Sequence, residues 1–81
     1  MITDIGRGHI RFQTAEGKSA TIEIDVFLRG YGSPDFVIYP SSLRAWDPSN
    51  DGIPLSDGER DDVLRQVTDE LTEDGKTFAM A

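Results

Sequence analysis

The sequence predicts an α+β fold: a small antiparallel sheet of four to five strands with one helix from the second half of the chain packed on one face, in the order β-β-β-β-α-β. Three observations carry this. Two runs of period-two hydropathy, His9 to Gln13 and Ser19 to Leu28, flank a short turn. Phe36 to Tyr39 is a compact apolar run of β-formers. Between residues 56 and 75 the apolar positions switch to helical spacing. One helix beside several strands is accommodated by laying it on the sheet.

Residues 1–7 carry no clear period and are expected to be loose up to Gly8. In the first strand Ile10 and Phe12 share one face, with His9, Arg11 and Gln13 on the other. Ala15 to Lys18 forms the turn, with Gly17 free to take a positive φ. In the second strand Ala20, Ile22, Ile24, Val26 and Leu28 point inward. A slip of one residue would turn all of them outward, so the register is well specified. Arg29 to Asp35 is a loop. Its two glycines are a fragment of a phosphate-binding signature, without the third glycine or a following helix. Pro40 ends the Phe36 to Tyr39 strand because it has no N–H to give to a ladder. Leu43 to Trp46 reads as a short fourth strand, and Asp47 to Gly52 as turns.

Ser56 and Glu59 match a capping box. Asp57, Glu59, Asp61 and Asp62 complement the positive end of the helix dipole. Val63, Leu64, Val67 and Leu71 make the buried stripe, and Gly75 ends the helix in a left-handed cap. Lys76 to Met80 is a short final strand.

Eighty-one residues suit one domain, 1–81. There is no cysteine, hence no disulfide frame, and no apolar run long enough for a membrane span. The start of the chain lacks the pattern of a signal peptide, so the cytosol is the expected compartment. Eight basic residues against fifteen acidic ones leave a net charge of −7. The charge is uneven: residues 1–40 hold five acids and four bases, residues 41–81 ten acids and four bases. Nucleic acid and anionic membrane surfaces are disfavoured as partners, and a basic protein is favoured.

No catalytic set can be assembled. His9 is the sole histidine, and no serine has a base near it in sequence. No cofactor motif is complete, and one histidine without cysteine makes no transition-metal site. Asp47, Ser49, Asp51 and Gly52 imitate the first half of a calcium loop, but Gly58 holds the position where the bidentate glutamate belongs. A calcium- or small-ligand-binding module over Asp47 to Glu59 stays open as an alternative. So does a non-catalytic regulatory subunit, or a homodimer paired through the edge strand Thr77 to Met80. Tyr31, Tyr39 and Trp46, bordered by Asp35, Asp47 and Asp51, would make an aromatic and acidic binding patch if they shared a face.

A run of features ties the middle of the chain to a known family. Phe36 to Tyr39 is followed by Ser42, then Trp46, Asp47 and Pro48, then Asp51 to Ser56, then the acidic helix start Glu59 to Leu64. Over residues 36–72 this resembles the immunity protein 74 family, small immunity proteins of bacterial polymorphic toxin systems. Ser49 stands where members often carry a second proline. The resemblance implies a non-enzymatic protein that binds and blocks a cognate toxin. It makes Tyr39, Ser42, Trp46, Pro48 and Ser56 the residues of the family pattern. The acidic second half independently favours a basic target, such as a nucleic-acid-directed effector. Tyr31, Asp35, Asp47, Asp51, Asp61, Asp62 and Asp69 are the candidate contacts.

Overall fold

A computed structural model describes residues 1–27, 34–48 and 51–81. Five strands form one sheet in sequential order: β1 (Ile2–Ile5), β2 (His9–Gln13), β3 (Ser19–Val26), β4 (Phe36–Ile38) and β5 (Phe78–Met80). Among the described residues a single α-helix, α1 (Asp57–Glu73), lies between β4 and β5. The expected class and element order are therefore present. The first three pairings are antiparallel. The last, β4 with β5, is parallel, which makes the sheet mixed and not wholly antiparallel. The connection through α1 is the reason: a crossover of this length returns the chain in the direction it left.

The central hairpin follows its hydropathy. Ile10 pairs with Ile22 and Phe12 with Ala20, so all four enter the core together. The Thr14 amide donates to the Lys18 carbonyl at 2.8 Å and the Gly17 amide to the Thr14 carbonyl at 3.0 Å, with Gly17 at φ 89°. The inward face of β3 stops sooner than its alternation suggests. Ile24 is buried, but Val26 is 49% exposed, and Leu28 lies outside the described residues.

Two strands sit elsewhere than expected. Residues 2–5 are not loose; they form edge strand β1, with an irregularity in register between Ile2 and Asp4. Its anchor is 68 residues away: the Ile2 amide donates to both carboxylate oxygens of Glu70, at 3.0 and 3.1 Å. Conversely, Leu43 to Trp46 does not form a strand. Pro40–Ser42 makes one 3-10 turn, and Ala45 forms an isolated bridge with Pro54. Side chains meet the stretch of β3 that β4 does not reach, Ser19 to Glu23, in place of a ladder. Ser42 Oγ accepts from the Glu23 amide at 2.8 Å and donates to the Tyr39 carbonyl at 2.6 Å. The Asp47 amide donates to the Ser19 carbonyl at 2.9 Å, and Asp47 Oδ1 accepts from Thr21 Oγ1 at 3.0 Å.

Helix α1 begins as its sequence dictates. Ser56 Oγ accepts from the Glu59 amide at 3.1 Å, and Glu59 Oε1 accepts from the Ser56 amide at 2.9 Å. It ends in a Schellman motif: the Lys76 amide reaches the Leu71 carbonyl at 2.9 Å, the Gly75 amide reaches that of Thr72 at 3.0 Å, and Gly75 sits at φ 74°. Val63, Leu64, Val67 and Leu71 join Ile10, Phe12, Ile22, Ile24 and Ile38 in one buried core, to which Leu43, Trp46 and Leu55 also belong. Each fully buried aliphatic side chain of this kind contributes about 1.5–3 kcal/mol.

Candidate partner-binding surface

The same spacing that buries one side of α1 concentrates carboxylates on the other. The helix carries seven acids (Asp57, Glu59, Asp61, Asp62, Asp69, Glu70 and Glu73) against two bases, Arg60 and Arg65. Asp62, Asp69 and Glu73 are seven and four residues apart and share one exposed stripe, with Asp61 on its flank. Four of the seven acids have partners. Arg60 Nη2 lies 3.1 Å from Asp57 Oδ1. Arg65 pairs with Asp62, whose Oδ2 also accepts from Gln66 Nε2 at 2.9 Å. Glu59 closes the cap, and Glu70 holds β1. Among the described residues, the Asp61, Asp69 and Glu73 carboxylates make no hydrogen bond or ion pair.

Beside this stripe is a cleft of about 300 Å³ between the β2–β3 turn and the first turns of α1. Thr14, Glu16 and Lys18 line it from the turn, and Glu59, Asp62 and Gln66 from the helix. Trp46, only 5% exposed, presents its ring to the cleft, and Lys18 Nζ stands 5.4 Å from the ring centroid. The Glu59 carboxyl is held below the usual carboxylate range. The Ser56 backbone amide is the main cause, followed by the Ser56 side chain, with the Lys18 charge and the Trp46 indole adding to it.

A second concavity of similar size lies by the outer edge of β3, lined by Glu23, Tyr39, Ser41, Ser42 and Arg44. The Tyr39 hydroxyl donates to Asp25 Oδ2. That hydrogen bond is the main cause raising the phenol above the ordinary tyrosine range. Asp25 and Glu23 alternate with the buried Ile24, so Tyr39 belongs to the face of the sheet opposite α1. Trp46 packs in the core on the helix side. The two aromatics thus do not join in one patch.

The remaining candidates are dispersed. Tyr31 lies outside the described residues. Asp35 is half-buried at the start of β4; its amide donates to Thr77 Oγ1 at 2.9 Å and its Oδ2 accepts from the Thr77 amide at 3.0 Å. Asp47 faces Thr21, next to the exposed Pro48. Asp51 is exposed in the turn before Leu55, at φ 64°. Of the acidic candidates among the described residues, Asp62 lines the cleft, and Asp61 and Asp69 stand on the same helix. No three acidic or histidine side chains converge into a metal-binding group among the described residues. Glu16, Lys18, Glu59 and Gln66 were not legible as site residues, because only the tertiary approach of turn and helix brings them together. A cation directly after Gly17, alternating with an inward strand, was the one available hint.

The model of the family described as Immunity protein 74 matches residues 2–80, which extends the resemblance from the middle of the chain to its first and last strands. No curated protein and no solved structure matches the chain.

Proposed function

Because the chain belongs to the immunity protein 74 family, we propose that it binds and silences a cognate bacterial toxin in the cytosol of the producing cell, using the acidic outer face of α1. The observation that carries this is the set of exposed carboxylates at Asp61, Asp69 and Glu73, which the fold itself does not employ. Such a stripe steers a basic protein surface and covers it with negative charge. A nucleic-acid-directed toxin is the target best suited, since its substrate cleft must be basic. Asp62 and the cleft beside it extend the same surface. The action is inhibitory and non-catalytic. His9 has Asp4 as its partner, 3.3 Å away. Among the described residues, no helix is long and apolar enough to cross a membrane.

The test is binding to the toxin encoded beside this chain, measured across a salt series together with the toxin's activity. We expect tight binding whose association rate falls steeply with ionic strength, and loss of toxin activity at one equivalent. Absence of binding at micromolar protein and low salt would overturn the proposal. Binding that ignores salt would overturn the electrostatic mechanism.

A further inference from the structure

The cleft between the β2–β3 turn and α1 already holds a positive charge, and it is the molecule's own. Lys18 Nζ stands over the Trp46 ring at 5.4 Å, and its charge helps to hold the Glu59 carboxylate ionised. Three carboxylates line the cleft, those of Glu16, Glu59 and Asp62; Asp62 is paired with Arg65, which leaves Glu16 and Glu59 against the single ammonium of Lys18. An anionic ligand would meet this excess of negative charge. A purely apolar one would strip water from the carboxylates without replacing their hydrogen bonds. A cation meets an aromatic face and carboxylates together.

We infer that this cleft is a socket for an arginine side chain of the cognate toxin, and that Lys18 is a placeholder which the arginine displaces. The inference rests on the toxin-binding reading and deepens it. The volume of about 300 Å³ is enough for one long side chain. Arginine fits better than lysine because its planar guanidinium stacks on an indole while its edge hydrogen-bonds to carboxylates. Lys18 sits on a flexible stem at the end of the hairpin turn and is half-buried, so it can swing into solvent when the guanidinium enters. The release of Lys18 opposes binding, so its removal strengthens binding. The size of the gain marks the socket, since a lysine deletion elsewhere in this acidic protein acts in the same direction but only through weak, screened long-range charge.

The experiment uses the full chain and arginine amide as probe, followed by the fluorescence and indole N–H resonance of Trp46, the only tryptophan. Lys18→Met is expected to bind arginine amide about two- to fivefold more tightly than the unaltered protein, the value of one partly exposed cation–π contact. Glu59→Gln keeps a residue able to close the capping box and removes the charge; it is expected to weaken binding by a similar factor. Lysine amide should bind more weakly than arginine amide. The socket is overturned if arginine amide leaves the Trp46 signals unmoved in Lys18→Met. It is equally overturned if Lys76→Met, a charge deletion beyond α1, gives the same gain. A parallel titration with the toxin separates the two proposals. If no toxin binds, the immunity reading fails while the amide titration still decides the socket. If toxin binds but Lys18→Met and Glu59→Gln leave its affinity unchanged, the socket fails and the immunity reading stands.

Discussion

Between Tyr39 and Asp47 the side chains of Tyr39, Ser42 and Asp47 turn back onto the sheet, whereas along the outer face of α1 the acidic side chains pair within the helix or reach into solvent. Ser42 and Asp47 bind the edge of β3 where no neighbouring strand runs. Tyr39 closes on Asp25. Asp61, Asp69 and Glu73 make no such contacts. Both regions are rich in hydrogen-bonding groups, yet one completes the fold and the other is surplus to it. Tyr39, Ser42 and Trp46, which the resemblance marks out in the sequence, are all engaged within the fold. Under the proposed function, binding falls to the outer face of α1, where changing an exposed side chain costs the fold little.

This contrast can be broken or sharpened by substitution. Trp46→Ala should have the largest effect, because it empties core volume that the segment between β4 and α1 fills. We expect a loss of about 3–5 kcal/mol in chemical denaturation. A loss under about 1 kcal/mol would mean that the segment does not hold the core. Ser42→Ala should cost about 1–2 kcal/mol, since it leaves the Glu23 amide without its acceptor. Hydrogen exchange at Glu23 should accelerate selectively. Ser56→Ala, which opens the capping box, should cost about 1 kcal/mol by the same assay.

Neutralising the stripe as Asp61→Asn, Asp69→Asn and Glu73→Gln should move stability by no more than about 0.5 kcal/mol per site. Toxin association should slow at low salt and lose most of its salt dependence. A large stability loss would show that the stripe belongs to the architecture after all. The smallest effect is one of pH. Tyr39 has its phenol raised by the hydrogen bond to Asp25. The protonated form is the one folding favours, so this contribution is intact below the ordinary tyrosine range and disappears as pH rises through the raised value. Ultraviolet titration should show Tyr39 ionising later than a free tyrosine, and Asp25→Asn should bring it back towards the ordinary range.

How far each element was legible depends on how far away its partners lie. The central hairpin, with Ile10, Phe12, Ala20 and Ile22 inward, was legible because alternation is local and a slipped register would expose every apolar group. The limits of α1 were legible because Ser56, Glu59 and Gly75 act within one turn of where they stand. β1 was not, since Ile2 and Ile5 stand three apart and show no period of two, and the strand is held by Glu70 from the far end of the chain. The strand expected at residues 43–46 did not form, because Ser42 and Asp47 took up the edge of β3 with side chains and the apolar Leu43 and Trp46 went into the core.

The site divides in the same way. The acidity of the second half, and the helical spacing that gathers Asp62, Asp69 and Glu73 on one side, are properties of the sequence by itself, since a helix maps spacing onto faces. The cleft is not. Glu16 and Lys18 stand on one turn and Glu59, Asp62 and Gln66 on a helix more than forty residues later, with Trp46 between them. Packing of α1 on the sheet alone brings them together, because the burial of Val63 and Val67 against the hairpin sets which end of the helix meets the turn.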